Sequence, residues 1–163
     1  MRNKLNQNGI GLVETIAALG VTVVVITSLV SLALFTLRSS INSKLFLEGT
    51  KMANEEIELV RAYRDSSGMT WSGTPGFISN MSSCFGGSAK CFIDASGNTL
   101  TVTASNEVFN TGTPTELKRF FRLSYPDTGN TNLVRVEVEV SWNVGNIAKY
   151  SHNYTELANW KGN

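Results

Sequence analysis

The stretch QNGIGLVETIAALGVTVVVITSLVSLALFTL, Gln7 to Leu37, holds one charged residue, Glu14, and no proline. At about 1.5 Å of rise per residue, a helix from Ile10 to Leu37 is long enough to cross a hydrocarbon core of about 30 Å. The run exceeds the ~7–15 apolar residues of a secretory signal, and no small-x-small cleavage site closes its far end. It therefore reads as a transmembrane helix that stays in the product, and any protease acts ahead of it. Glu14 is the anomaly, because a carboxylate at the centre of such a helix costs about 2.5–3.5 kcal/mol on insertion scales. It needs a partner or a purpose.

Working outward, residues 1–9 contain Arg2 and Lys4 and no acid. The positive-inside rule makes this a cytoplasmic leader and puts the C-terminal part outside the cytoplasm, on a single-pass anchor. The formal net charge is +1. A chain cut after Gly9 carries 12 basic and 13 acidic side chains, a balance of −1 that gives no support to nucleic-acid binding.

Beyond Leu37 the helical pattern continues through RSSINSKLFLEGTKMANEEIELVRAYRDS. Ile41, Leu45, Met52, Ala53, Ile57, Val60 and Tyr63 fall near one face, and Lys44, Glu48, Lys51, Glu55 and Glu58 lie opposite. One helix is expected from about Ile10 to about Arg64, apolar all round over 10–37 and one-sided over 38–65. Gly20 and Gly49 are candidate weak points, and Asp65 to Gly68 is the expected stop.

Residues 66–163 read as a β-rich head. Met69 to Gly97 is rich in Ser, Gly and Asn and reads as loop, with a short strand at Cys91 to Ile93. Strands are expected in TLTVTAS, RFFRLSYP, LVRVEVEVSW and AKYSHNYTEL. The third is the clearest, since Val134, Val136, Val138, Val140 and Trp142 alternate with Arg135, Glu137, Glu139 and Ser141. The turns PDTGNTN and NVGN join the last three strands into an antiparallel meander. The fold class is α+β, a long helix followed by a small antiparallel sheet.

Cys84 and Cys91 sit in CFGGSAKC. An oxidising compartment and the short loop favour a disulfide, with a reduced pair or two metal thiolates as alternatives. A zinc site would have to manage with His152 as the sole histidine of the chain.

A basic leader ending in Gly9, then Ile10, then Glu14 as the fifth residue of the new chain in G-IGLVE, then an unbroken apolar helix, resembles the N-terminus of type IV pilins and pseudopilins. The family usually has Phe where Ile10 stands and Thr or Ser where Gly11 stands. The resemblance implies a type IV pilin-like fold. It also implies cleavage between Gly9 and Ile10 by a prepilin peptidase, and N-methylation of Ile10. Glu14 would pair with the terminal amine of a neighbouring pilin or pseudopilin subunit, since pairing offsets the cost of taking either charge from water. Further partners implied are the inner-membrane assembly platform and lipid. KMANEEIELVRAYRD and, more loosely, VRVEVEVSW with YTELANW resemble minor pilins of the PilV type. The I-type pseudopilin of type II secretion is the alternative, and a single-pass anchored binding domain is the reading from another class. Many major pilins have a proline about twenty residues into the mature helix, which VVITSLVSLAL lacks.

No catalytic residue, metal or cofactor is expected. His152 beside Ser151 lacks a nucleophile motif, and FGGSAK lacks the spacing of a phosphate-binding loop. Glu55, Glu56 and Glu58 read as a solvated helix face near Lys51 and Arg61. Lys118, Arg119 and Arg122 are too few to establish a DNA or anion surface. Trp71, Trp142 and Trp160 read as packing residues.

Overall fold

The structure is a computed structural model that describes residues 8–113 and 115–160, with side chains from residue 11 onward. Helix α1 runs unbroken over Asn8–Asp65. The chain divides between Ser43 and Lys44 into two compact units.

In the first unit every side chain from Gly11 to Ile41 is exposed, a surface of Leu, Val, Ile and Phe interrupted by Glu14, Arg38 and a few hydroxyls. Several of those hydroxyls are satisfied within the helix: Thr22 donates to the Ala18 carbonyl at 2.8 Å, Thr27 to Val23 at 2.9 Å and Ser28 to Val24 at 2.8 Å. Thr36 donates to Leu32 at 2.6 Å. A segment that pairs its backbone as a helix and turns hydroxyls back onto its own carbonyls is suited to hydrocarbon. The helix is long and apolar enough to cross a membrane.

The second unit has its own core. From α1 it takes Leu45, Ala53, Ile57, Val60 and Tyr63, all buried, with Met52 half-buried. Ile41, expected on that face, is exposed. Gly49 is no weak point: it lies buried under the Trp142 ring, where a Cβ would come within 2.9 Å of Cζ3. The helix stops where expected, and Gly68 turns the chain with φ +78°.

Two short helical turns follow, α2 (Phe77–Asn80) and a 3-10 turn (Ser82–Cys84). They fall inside the segment read from sequence as loop, and bury Phe77, Met81 and Cys84. Phe77 stacks on Trp71 at 5.3 Å between centroids. The small antiparallel sheet is β1 (Phe92–Asp94) with β2 (Thr101–Thr103). The larger has the order β3-β4-β5-β6, with β3 (Glu107–Phe109), β4 (Leu117–Ser124), β5 (Leu133–Val144) and β6 (Ile147–Ala158), all antiparallel. The expected meander is β4-β5-β6, and β3 is an addition to it. Val144 pairs with Ile147 across a two-residue turn whose first position, Gly145, has φ +61°, a conformation glycine adopts without penalty.

Period-two alternation decides which side of β5 is dry. Val134, Val136, Val138, Val140 and Trp142 are buried with Leu117, Phe121, Leu123 and Leu157 from the neighbouring strands. Each such side chain taken from water contributes roughly 1.5–3 kcal/mol. The outer edge of β4 is covered in turn by β3, by Cys91 bridged to Phe121, and by Phe85 bridged to Leu123. An edge so covered offers no row of free amides for aggregation.

Candidate functional site

The residues implied for processing stand at the start of α1. Gly9 and Ile10 are in its backbone, while their side chains, like the leader residues 1–7, lie outside the described residues. Glu14 is one turn further on and exposed, flanked by Leu12, Val13 and Ile16, which are also exposed. The carboxylate therefore sits on an apolar helix surface among side chains that cannot hydrogen-bond it. Thr15, next to it, returns its hydroxyl to the Leu12 carbonyl at 2.9 Å.

Cys84 and Cys91 are joined in a disulfide, and both are fully buried. This resolves the alternatives left open by the sequence. The bond closes the loop whose two ends dock on β4: Gly86 donates its N–H to the Leu123 carbonyl at 3.1 Å, and Cys91 and Phe121 exchange backbone hydrogen bonds of 3.0 and 2.7 Å. Lys90 lies over the Phe120 ring at 5.1 Å, and Phe85 stacks on Tyr125 at 4.9 Å.

The acidic cluster on α1 departs from expectation. Glu55 and Glu58 are solvated, and Glu58 accepts from Arg61 at 2.6 Å. Glu56, however, is fully buried. Its Oε1 accepts the Ile93 N–H of β1 at 2.8 Å, and its Oε2 lies 3.1 Å from Arg119 Nε. Arg119, weighed from sequence with Lys118 and Arg122 as a weak anion or DNA surface, is 3 % exposed. It donates from both Nε and Nη2 to Glu107 of β3 and from Nη1 to the Met52 carbonyl at 3.2 Å. Its guanidinium also lies over the Phe109 ring at 5.1 Å. Burial pushes the Glu56 carboxyl up from 4.5 to about 7, against the opposing pull of Arg119 and the Ile93 N–H, with Glu107 and Glu55 adding to the rise. A signal for this site was present in the sequence. At i+3/i+4 spacing Glu56 falls between Ala53 and Val60, in the apolar stripe.

Arg122 and Lys118 are likewise engaged with carboxylates. Arg122 binds Glu137 through two bonds of 3.0 and 2.6 Å, which holds the Glu137 carboxyl below its usual range, and Lys118 lies 3.3 Å from Glu116. His152 stacks on Tyr150 on the outer face, 3.8 Å from Glu139. Ser151 is buried on the other face with its hydroxyl 3.3 Å from that of Thr50, so the two neighbours do not meet as nucleophile and base. Among the described residues no group of three His, Cys, Asp or Glu side chains is arranged to hold a metal. Trp71 and Trp142 pack as expected, whereas Trp160 is 64 % exposed and donates to Asp65 at 3.1 Å.

Comparison with family models, with curated proteins and with solved structures finds no match to this chain.

Proposed function

We propose that the chain is a minor type IV pilin, similar to the PilV type, and that its activity is assembly rather than catalysis. One observation carries the reading. The sequence Gly9-Ile10 followed by Glu14 opens a helix whose exposed surface from Gly11 to Leu37 carries no charge but Glu14, and which continues without a break to Asp65. On this reading a prepilin peptidase cuts after Gly9 and methylates the amine of Ile10. The precursor stays in the inner membrane with the β-rich part outside the cytoplasm until the helix exchanges lipid for the helices of other pilin subunits.

Glu14 has a role in that exchange which an ordinary anchor does not offer. In lipid it is an isolated acid, and in a bundle it can face the amine of a neighbour's Ile10. A paired charge tolerates low dielectric far better than a lone one, so the pair fixes one axial register and disfavours others. A buried disulfide suits a head that works outside the cytoplasm.

The test is the intact mass and N-terminal peptide of membrane-extracted protein from cells with and without their prepilin peptidase. A chain starting at methylated Ile10 only when the peptidase is present supports the proposal. A chain that retains residues 1–9 in both makes this an ordinary anchored domain.

A further inference from the structure

We propose that Glu56, Arg119 and Glu107 form a proton-operated latch that docks strand β3 to helix α1. Three carboxylates, Glu55, Glu56 and Glu107, face one guanidinium. A single cation cannot neutralise three anions in a buried place, so the cluster is balanced best with a proton on the member furthest from water. That member is Glu56, which is fully buried, whereas the side chains of Glu107 and Glu55 are 27 % and 60 % exposed.

The hydrogen bonds match that protonation state. Arg119 Nε lies 3.0 Å from Glu107 Oε2 and 3.1 Å from Glu56 Oε2, yet its N–H is directed to Glu107. Glu56 Oε2 is left buried without a hydrogen bond from the protein. An oxygen left without a hydrogen bond costs less on a neutral carboxyl than on an ionised one. Release of the proton to solvent turns Glu56 into a competitor for the same N–H. Arg119 then swings to the buried anion, and Glu107, already partly in water, lets go. β3 is three residues long and on the edge of its sheet, so the Glu107 ion pair and the Phe109 contact with Arg119 are a large part of what holds it. The charged groups facing Glu56 are Arg119 from β4, Glu107 from β3 and Glu55 from its own helix, and all three enter the balance.

Hydrogen exchange of the full chain in uncharged detergent micelles, corrected for the intrinsic pH dependence of exchange, reads the latch. Between about pH 5.5 and about pH 8.5, protection of the amides of Glu107 to Phe109 should fall by about tenfold or more. In Glu56→Gln, which cannot ionise, they should stay protected across that range. A wild-type β3 that does not respond to pH, or a Glu56→Gln protein that responds equally, overturns the proposal. Should Glu56→Gln fail to fold, carboxyl-carbon NMR of the wild type and of Glu107→Gln decides. One glutamate titrating well above the ordinary range, and lower in Glu107→Gln, supports the latch, and glutamates that all titrate in the ordinary range overturn it.

Discussion

Gly49 and Glu56 lie two turns apart on α1 and fit poorly with simple ideas of a helix. Replacing a mid-helix glycine by alanine ordinarily stabilises by up to about 1 kcal/mol. At Gly49 the added Cβ meets the Trp142 ring at 2.9 Å, and overpacking of this kind costs about 1–3 kcal/mol. Gly49→Ala should therefore lower the melting temperature of the head. Gly20→Ala, where nothing lies within 4 Å, should leave it unchanged. Thermal melts of both variants in one detergent check the contrast.

Glu56 gives a prediction of opposite character, because its cost depends on pH. Its carboxyl sits near 7 in the folded protein against an ordinary 4.5, so between those values the folded state holds a proton that the unfolded chain has lost. The contribution is present in full below about pH 4.5 and is lost as pH rises through about 7, on the order of 3 kcal/mol in all. Denaturant melts at several pH values should show this fall in the wild type and a flatter profile in Glu56→Gln. Arg119→Met leaves Glu56 and Glu107 without their shared cation. It should cost about 3–5 kcal/mol, as breaking a buried pair does, and more above pH 7 than below it.

Among the elements, those legible in the sequence were the ones with enough length to show a period. The alternation of Val134 to Trp142 gave β5 its two faces, and Gly145 with Asn146 gave the turn to β6. β3 and α2 were not legible, since three or four residues show no period and neighbours hold them: β3 leans on Arg119, and Phe77 of α2 on Trp71. Glu56 escaped for a different reason. In NEEIEL its charge outweighs its position, and only the spacing from Ala53 to Val60 shows that it must point inward. The disulfide loop is an element whose closure the sequence suggested and whose burial it did not. Because Cys84 and Cys91 are both fully buried, a mild reductant with an alkylating agent should leave them unmodified in the native protein and label both once denaturant is added. Changing both to Ser should cost about 2–3 kcal/mol on the loop-entropy view. Peptide mass spectrometry and melts read the two effects.

For the whole molecule, the division near Ser43 separates two kinds of stability. Among the described residues, the buried core of the head begins at Leu45. The apolar segment has no such core, and its exposed Leu, Val and Ile side chains need lipid or other helices. On the pilin reading, Glu14 acts only in the second setting. Glu14→Ala removes a charge from an apolar segment, so membrane insertion should be unimpaired, or easier, by about the insertion cost of one acid. The melting of the head should not change, since none of its core residues lies near position 14 in the chain. Incorporation into filaments should nonetheless fall steeply, because the amine of a neighbour's Ile10 would then enter a low-dielectric bundle unpaired, a loss of several kcal/mol per contact. Fractionating cells that express Glu14→Ala into membrane and sheared-filament pools separates these effects. Normal insertion with depleted filaments fits an assembly role for the acid, and equal recovery from both pools leaves Glu14 as an interfacial carboxylate with no part in assembly.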